Sequence, residues 1–516
     1  MSMASKHESS KPIKLFTGTA AKEIDRRAIA EHGYIGLDLM INAGELAFRY
    51  IQHWVTESKP DQGTDPISIL ILCGAGNNGG DGYVVGRCAL KSGWQVSLVA
   101  TKPPNSEEAM RAAAQFLAAG GKVLDSAGFS PAKAYTVVAD ALLGVGISGA
   151  PRDDCARLTE LANELSALKV AIDVPTGVDA DTGSAYQPVF HADKTISFIA
   201  AKLGLHTGSG LNYCGAVEYE GLGIDTSIID SVPHCARLLP RPALTSRERD
   251  SHKGSYGDLV VAGGDNGMFG AALLAGSAAL RMGSGKVTIM STDEHLDQPA
   301  LVRPELMSLV FEPSNHTRVQ SADAVVLGPG LGLSSWGQQV FESTVSQPLP
   351  MLIDADGLTL LAQSKEASAT VLPEVNQWVL TPHPGEAASL LGLTTARVQQ
   401  DRLAAAKGIV ERYQCVCVLK GAGSLVAEPG GEVYLCDLGN PGMATAGMGD
   451  VLSGMIGALL AQGYQPFNAA RIGVWLHAYT ADRIVEHSSP AALIAGDIID
   501  RLAVSIYELE NYNESD

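Results

Sequence analysis

The chain has 516 residues, 46% of them hydrophobic and 18% charged, so it is long enough for two domains with separate cores. Its 37 Lys and Arg against 56 Asp and Glu give a formal net charge of −19, which disfavours nucleic acid and anionic membrane surfaces as partners. Eight cysteines without a Cys-x-x-Cys pair, and the lack of an apolar signal or membrane-spanning segment, predict a soluble cytoplasmic protein with reduced thiols.

Short apolar runs followed by helical patterns recur along both halves of the chain. They predict strands at 67–73, 95–100, 136–139, 169–172, 257–262, 286–290, 323–327, 350–353, 377–380 and 415–419. Strands that alternate with helices are typical of an α/β fold with a mostly parallel sheet. We therefore predict two doubly wound α/β domains, and the proline-rich, charged stretch 226–252 places their boundary between residues 238 and 239.

The stretch GAGNNGGDG at 74–82 follows a predicted strand and precedes a helical pattern, so its backbone N–H groups can face an anion. It satisfies G-x-G-x-x-G, but the acid that would hold a ribose about 20 residues on is missing, because the second strand ends at Thr101 and the next acid is Glu107. This argues against a standard NAD dehydrogenase. A tight turn alone needs only one or two glycines, so a binding loop is the preferred interpretation.

Three oxygen-bearing side chains, Asn78, Asp140 and Thr176, follow predicted strands of the first half. The carboxyl ends of parallel strands meet in one crevice, so we expect these side chains to converge there. An all-oxygen set with one formal charge suits a hard, weakly charged cation better than zinc, although each residue alone would also serve as a cap. Lys202, after the strand-like TISFIAA, is a candidate for proton transfer or phosphate contact, with an exposed surface lysine as the alternative.

In the second half, the stretch GNPGMATAGMGDVLSG at 439–454 places a Gly-rich loop at the start of an apolar helix, with Gly449 and Asp450 at its N-terminus. Such an end stabilises the charge that develops in phosphoryl transfer, and its carboxylate can accept a hydroxyl proton. An Asp N-cap explains the local pattern equally well. Polar loops after four further strands favour a binding crevice, at 328–332, 354–356, 381–386 and 420–424. His383, between two prolines, is interpreted as a contact residue.

Together these motifs resemble a known family. GAGNNGGDG, DALLGVGISG and DVPTGVDADTG resemble NAD(P)H-hydrate epimerase domains. HKGSYG, GPGLG, DADGL, LTPHPGEAASLL, VLKGAGS and MATAGMGDVLSG resemble nucleotide-dependent NAD(P)H-hydrate dehydratase domains. The motifs span 74–454 in the order found in fused bifunctional repair enzymes. The resemblance implies a Rossmann-like epimerase domain at 1–238 and a ribokinase-like dehydratase domain at 239–516.

The resemblance also implies the reaction, which is repair of NADH and NADPH hydrated at the nicotinamide ring (NADHX and NADPHX). The first domain would interconvert the R and S hydrates and bind K⁺. The second would phosphorylate the hydroxyl of the S hydrate with ADP, taken with Mg²⁺, and eliminate phosphate, giving NAD(P)H, AMP and phosphate. ADP is preferred to ATP because the fused form resembles bacterial and archaeal enzymes that use ADP. We expect small-molecule partners and a homo-oligomer.

The family roles are carried over residue by residue. The catalytic residues would be Asp173 and Lys202 in the epimerase and Asp450 in the dehydratase. The epimerase would bind the hydrate through Asn77, Asn78, Gly79, Gly80, Asp81, Gly144, Val145, Gly146, Ile147, Ser148, Gly149, Ala150 and Asp173, and K⁺ through Asn78, Asp140 and Thr176. The dehydratase would bind the hydrate through Ala271, Gly330, His383 and Asp450, and the nucleotide through Lys420, Gly421, Ala422, Gly423, Ser424 and Gly449.

The sequence departs from the family pattern at two positions. Thr176 stands where Ser is usual and keeps the hydroxyl, whereas Met448 stands where Ser or Thr is common and removes one hydroxyl contact to phosphate. Two other functions remain open. A ribokinase-type small-molecule kinase would also use Gly449 and Asp450, but would leave a stable phosphorylated product. A ligand sensor in the first half would bind without turnover, so epimer turnover by residues 1–240 would exclude it.

Overall fold

The computed structural model describes residues 12–58, 66–131, 134–147, 149–312, 316–366 and 377–511. The chain divides into two compact units, Ile13–Arg237 and the residues from Leu238 onward, so the division lies one residue before the predicted position. Within the described ranges, no helix is long and apolar enough to cross a membrane.

The first unit alternates strands and helices. Its strands are β1 Lys14–Phe16, β2 Ser68–Cys73, β3 Gln95–Ala100, β4 Val123–Asp125, β5 Val137–Ala141, β6 Leu168–Ile172, β7 Lys194–Phe198, β8 Ala201–Lys202, β9 Ala216–Glu220 and β10 Ala236–Leu238. Its helices are α1 Gly18–His32, α2 Gly36–Ser58, α3 Asn77–Lys91, α4 Glu107–Ala118, α5 Asp153–Glu164, α6 Leu211–Cys214 and α7 Thr226–Asp230.

The main sheet of this unit is parallel and runs in the order β4-β3-β2-β5-β6-β7-β9. This is a doubly wound, Rossmann-like strand order. Successive strands are added toward one edge from β2 to β4 and toward the other edge from β5 onward, so the switch point lies between β2 and β5. Helices cover both faces, because alternate strand residues point to opposite sides. Ile71 and Ala139 pack with α1 to α4 on one face, and Leu70 and Val138 pack with α5 on the other. Separately, β1 pairs with β8 and β10.

The second unit follows the same alternation. Its strands are β11 Asp258–Ala262, β12 Lys286–Ser291, β13 Met307–Val310, β14 Ala324–Leu327, β15 Met351–Ile353, β16 Trp378–Leu380, β17 Val416–Leu419, β18 Ser424–Ala427 and β19 Val433–Cys436. Its helices are α8 Phe269–Arg281, α9 Gln298–Val302, α10 His316–Gln320, α11 Ser335–Val345, α12 Asp356–Glu366, α13 Pro384–Leu391, α14 Thr395–Gln400, α15 Arg402–Tyr413, α16 Met448–Ala461, α17 Pro466–Val485 and α18 Ala495–Glu510.

The sheet of the second unit runs in the order β13-β12-β11-β14-β15-β16-β17-β18-β19, parallel from β13 to β17 and antiparallel over the last two strands. Helices α8, α16, α17 and α18 pack on one face, against Val261 and Val326. The alternate residues Val260 and Val325 are fully buried on the other face. The α/β class and all ten predicted strands are confirmed, and the carboxyl ends of the parallel strands bring the predicted polar loops to one edge of each sheet.

Candidate active sites

The carboxyl edge of the first sheet opens into a cavity of about 690 Å³. Its walls include one face of α1, the start of α2 and the loops after β2 and β5. This is the switch point of the sheet, where doubly wound folds bind their ligands. The predicted residues that line the cavity are Asn77, Asn78, Asp81, Gly144, Val145, Gly146, Asp173 and Lys202.

Other predicted hydrate contacts do not line this cavity, namely Gly79, Gly80, Ile147, Gly149 and Ala150, and Ser148 lies outside the described residues. Packing explains the two glycines in α3. A Cβ on Gly79 would stand 2.0 Å from the carbonyl oxygen of Gly74, and a Cβ on Gly80 would stand 2.6 Å from the end of the Met40 side chain. Close packing therefore explains why both positions are glycine. Direct contact of these two residues with a hydrate stays a prediction.

An ion pair between a buried lysine and an aspartate stands at the end of β6. Lys202 is 2% exposed, and its Nζ donates hydrogen bonds to Asp173 Oδ1 at 2.5 Å and to the carbonyl oxygen of Phe198 at 2.6 Å. Asp173 adopts a left-handed backbone with φ of +69°, a conformation that is uncommon outside glycine and is found at functional sites. Its other oxygen, Oδ2, lies 3.4 Å from the point where a Cβ on Gly144 would stand. The lysine is therefore a buried ion-pair partner and not an exposed surface group.

The three oxygen residues predicted to bind a cation form one hydrogen-bonded cluster. Asp140 Oδ1 accepts hydrogen bonds from Thr176 Oγ1 at 2.8 Å and from Leu142 N at 3.0 Å, and its Oδ2 accepts one from Thr176 N at 2.7 Å. Leu143 connects Asn78 to this pair, because its N–H donates to Thr176 Oγ1 at 3.1 Å and its carbonyl accepts from Asn78 Nδ2 at 2.9 Å.

Two observations bear on the predicted cation site. Asn78 Oδ1 is buried and has no hydrogen-bond partner among the described residues. Burial raises the pKa of Asp140 to about 6, even though hydrogen bonds from Thr176 and Leu142 lower it. An unsatisfied buried amide oxygen is costly, a buried carboxylate is stabilised by a nearby positive charge, and oxygen atoms are the ligands that hard cations prefer.

In the second unit, Lys420 stands between two carboxylates. Its Nζ donates to Asp354 Oδ1 at 2.6 Å and lies 3.8 Å from Glu386 Oε2. The other oxygen of Asp354 accepts a hydrogen bond from Ser453 Oγ at 2.7 Å. Burial lowers the pKa of Lys420, but the Asp354 and Glu386 carboxylates outweigh it and raise the pKa overall, so the ammonium group stays charged.

Helix α16 begins beside this lysine. Its N-cap is Gly447, with φ of +88° and no side chain to cap the first N–H groups, and a Cβ on Gly449 would stand 3.3 Å from Lys420 Nζ. Asp450 follows in the first turn. Burial and then the Asp354 carboxylate raise its pKa to about 7, although Lys420 opposes the shift. Met448 is buried in the core, so at its position the backbone alone is left to meet a phosphate.

His383 is the N-cap of α13. Its Nδ1 accepts hydrogen bonds from Gly385 N at 2.9 Å and Glu386 N at 3.2 Å, and Glu386 Oε2 accepts one from His383 N at 2.7 Å. This reciprocal capping places Glu386 beside Lys420. The imidazole is 57% exposed, so it is not a core histidine, and its contact with a hydrate stays a prediction.

The other two predicted hydrate contacts, Ala271 and Gly330, meet at one carbonyl group. Ala271 N donates to the carbonyl oxygen of Met268 at 3.2 Å, and a Cβ on Gly330 would stand 2.3 Å from the same oxygen. Leu274, one turn further along α8, lies close to Gly447. Ala271 is therefore within one helical turn of a residue that packs on the start of α16.

Sequence reasoning missed a buried arginine that holds the loop 420–424. Arg402 is 1% exposed, and its Nη2 donates to the carbonyl oxygens of Leu419 at 3.2 Å, Lys420 at 3.2 Å and Gly423 at 3.4 Å. Burial lowers its pKa to about 10, which still leaves the guanidinium charged at neutral pH. An arginine at the start of a helical pattern gives no sign in the sequence that it is buried. Asp25, which lines the first cavity, was missed for a similar reason.

Comparison with known proteins identifies the family of each half of the chain. A family profile described as NAD(P)H-hydrate dehydratase matches residues 259–503, and one described as YjeF-related protein N-terminus matches residues 36–204. The bifunctional NAD(P)H-hydrate repair enzyme Nnr of Coxiella burnetii is 38% identical over 502 residues, 95% of this chain and 99% of that protein. The enzyme of the same name from Escherichia coli is 40% identical over 486 residues, 93% of this chain and 91% of that protein.

Among solved structures, the ADP/ATP-dependent NAD(P)H-hydrate dehydratase of Bacillus subtilis, co-crystallised with ATP/Mg²⁺, is 32% identical with a TM-score of 0.48, covering 52% of this chain and 96% of that one. The fold and the two strand-end sites define an enzyme with two α/β domains. The full-length sequence relatives make the assignment specific: the chain belongs to the family of bifunctional NAD(P)H-hydrate repair enzymes.

Proposed function

We propose that this chain repairs hydrated NADH and NADPH, with R/S epimerisation in the first unit and dehydration of the S hydrate in the second. The observation that carries this proposal is the presence of two separate strand-end sites, each with a Lys–Asp ion pair that has one buried partner and lies beside a carboxyl group whose pKa is raised. The relatives that match more than nine-tenths of the chain are named for the same repair.

For the dehydratase, the proposal gives Asp450 the role of base. A pKa of about 7 leaves a useful fraction of its carboxylate free at neutral pH, so it accepts the proton of the hydrate's hydroxyl as that oxygen attacks the terminal phosphorus of the nucleotide. The uncapped start of α16 and the Lys420 ammonium stabilise the negative charge on the transferred phosphoryl group. The C–O bond to phosphate then breaks and a proton leaves the neighbouring ring carbon, so that elimination of inorganic phosphate forms the ring double bond of the reduced cofactor.

For the epimerase, the proposal places the hydrate in the cavity with Asp173 and Lys202 at the reacting carbon. K⁺ would be held by Asn78 Oδ1, Asp140 and Thr176, and it would balance the buried negative charge of Asp140. In the described chain, Asn78 Oδ1 has no other partner, which supports this assignment. Asp140→Asn should weaken the activation of the epimerase by K⁺, whereas Asp38→Asn, an exposed change, should not.

The remaining parts of the proposal concern the phosphoryl donor, the location, the oligomeric state and the partners of the protein. We propose ADP, as its Mg²⁺ complex, as the phosphoryl donor, a cytoplasmic location, a homo-oligomer and no nucleic-acid or membrane partner. The eight cysteines form no disulfide, which supports the location, and the net charge of −19 supports the lack of nucleic acid. Light scattering of the purified protein measures the oligomeric state.

One experiment tests the whole function. The protein is incubated with mixed R and S hydrates, K⁺ and either Mg²⁺–ADP or Mg²⁺–ATP, and the absorbance of reduced nicotinamide and the release of phosphate are followed. Complete recovery of both epimers, with one phosphate released per cofactor, supports the proposal, and the faster nucleotide identifies the donor. Accumulation of a phosphorylated product instead would identify a kinase. Recovery of the S hydrate alone would leave the first unit as a binding module.

A further inference from the structure

Helix α1 presents one acidic side chain to the first cavity. Ala21, Lys22, Asp25 and Ile29 line the cavity, and their spacing places them along one face of the helix. The neighbouring acid behaves differently, because Glu23 is bonded to two arginines of the same helix. Asp25 is half-buried and accepts no side-chain hydrogen bond within the described part of the chain.

The charges that face Asp25 come from several elements. Asp81 lies on α3, Glu108 on α4, and the Asp173–Lys202 pair at the ends of β6 and β8. Burial raises the pKa of Asp25, the Glu108 carboxylate raises it further, and Lys202 lowers it. Burial also raises the pKa of Asp81 well above its usual range. The cavity therefore combines two carboxyl groups whose pKa is raised with one carboxylate that is paired to a lysine.

An epimerase of such hydrates has a stereochemical need that one acid–base group does not meet. The hydroxyl leaves one face of the ring carbon and returns to the other, so a proton must be given on one side and taken on the other. Asp173 already uses Oδ1 to bind Lys202 and the N–H of Phe198. Asp25 reaches the same cavity from a different element, α1.

We propose that Asp25 is the second acid–base residue of the epimerase and acts on the ring face opposite to the one served by Asp173 and Lys202. The inference rests on the proposed epimerase function and goes beyond it by naming the second group. The carboxyl group of Asp25 gives its proton to the hydroxyl, the C–O bond breaks, water leaves, and the lone pair of the ring nitrogen forms a C=N⁺ bond. A water molecule then adds to the other face and gives its proton to Asp173, while the electron pair returns to nitrogen.

This scheme conserves atoms and electrons, since one water leaves and one enters and nothing is oxidised. The reverse reaction exchanges the roles of the two carboxyl groups. It also predicts that the hydroxyl oxygen is replaced by solvent oxygen each time the configuration inverts. Epimerisation in H₂¹⁸O, corrected for the reaction without enzyme, therefore tests the bond that breaks.

The test compares Asp25→Asn with Asp25→Glu and with Glu31→Gln in the full chain. Glu31 is the matched control because it lies on the same helix, is 48% exposed and, within the described ranges, pairs with Arg26 alone. We expect Asp25→Asn to lower the epimerase kcat by about 10²-fold or more, on the scale of lost acid–base catalysis. Hydrate KM and the K⁺ dependence should change little, Asp25→Glu should recover part of the rate, and Glu31→Gln should match the wild type.

The outcomes distinguish failure of the inference about Asp25 from failure of the proposed epimerase function on which it rests. If the wild-type protein does not interconvert the epimers, the proposed epimerase is wrong. If the wild type is active and Asp25→Asn, still binding the hydrate by calorimetry, keeps its kcat within about threefold, Asp25 has no acid–base role. Inversion without incorporation of ¹⁸O would overturn the C–O cleavage step. A loss of rate that Asp25→Glu does not relieve, together with lost hydrate binding, would mark Asp25 as structural and also overturn the inference.

Discussion

The two sites use the same ion pair in different surroundings. In the first unit Lys202 holds Asp173, and in the second Lys420 holds Asp354, with the nitrogen to oxygen distances at 2.5 and 2.6 Å. In both units the aspartate directly follows a parallel strand, and one partner of the pair is buried, Lys202 in the first unit and Asp354 in the second. A charged pair at the carboxyl end of a sheet is therefore a shared component, and it does not by itself decide the chemistry.

The neighbouring helix makes the difference. In the second unit the lysine stands against Gly449 at the uncapped start of α16, so positive charge is concentrated where a phosphoryl group would transfer. In the first unit Lys202 instead gives its second hydrogen bond to the carbonyl oxygen of Phe198, and the cavity contains the carboxyl groups of Asp25 and Asp81. The arrangement around Lys420 in the second unit suits phosphate chemistry. The arrangement around Lys202 in the first unit suits proton transfer to and from an uncharged ring.

The largest expected effect tests this contrast directly. Asp450→Asn keeps the shape at the start of α16 but removes the base, so dehydratase turnover should fall about 10²–10⁴-fold. Nucleotide affinity, measured by calorimetry, should change far less, and epimerase activity should persist because Asp173 and Lys202 lie in the other unit. The measurement is turnover of the S hydrate at saturating ADP.

The control for this variant is Asp500→Asn on α18, where the carboxylate is 76% exposed. It should leave both activities unchanged. Near-normal dehydratase turnover in a folded Asp450→Asn protein would show that Asp450 is not the base. The proposed difference in chemistry between the two sites would then be wrong.

A smaller effect is expected at the loop that carries Lys420. Arg402→Met leaves carbonyl oxygens of Leu419, Lys420 and Gly423 without their donor, at a cost of about 1–3 kcal/mol for each buried group left unsatisfied. We expect the KM for ADP to rise about tenfold or more and thermal stability to fall, with epimerase activity unchanged. Arg402→Lys should recover only part of the loss, because an ammonium group lacks the planar fork of a guanidinium.

Arg397→Met is the matched control for this loop. Arg397 lies on α14, is exposed and bonds to Gln400, so its loss should change neither KM nor stability. If Arg402→Met leaves the KM for ADP unchanged while stability falls, the arginine is structural only and does not position the nucleotide loop.

The backbone was predictable from sequence to a much greater extent than the sites. The predicted strands are all present because buried parallel strands appear as continuous apolar runs between helical patterns. The hairpin β18–β19 was not predicted, since each of its strands is only four residues long. Gly-rich loops and their adjoining Asp residues were also recognisable, because such turns leave a local signature.

Residues that reach a site from a helix leave no such signature. Asp25 lies within an ordinary amphipathic pattern, beside an acid that forms only surface ion pairs. Burial of Arg402 depends on carbonyl groups from a loop 17 to 21 residues further along the chain, which the helical pattern cannot reveal. In both cases the tertiary fold decides the role, and the residue type alone does not.

The pH dependence of the dehydratase is a further way to sharpen the comparison. Asp450 acts as a base only when deprotonated, and its pKa is raised to about 7 by burial and by Asp354, with Asp356 and Glu386 adding to the shift and Lys420 opposing it. The value of kcat/KM should therefore rise about tenfold per pH unit below 7 and level off above it. Glu386→Gln should keep this rise, whereas Asp450→Asn should lose it.

The smallest expected effect concerns Thr176, where the family usually has Ser. Thr176→Ser keeps the hydroxyl that donates to Asp140 Oδ1 and accepts from Leu143 N, so K⁺ activation of the epimerase should stay within about twofold. The lost methyl group is fully buried, and thermal stability should fall by about 1 kcal/mol. Thr176→Val keeps the shape but removes both hydrogen bonds, so it should weaken K⁺ activation much more. Equal K⁺ titrations for the Ser and Val variants would show that the hydroxyl is not a cation ligand, and the cluster around Asp140 would then be a purely structural network.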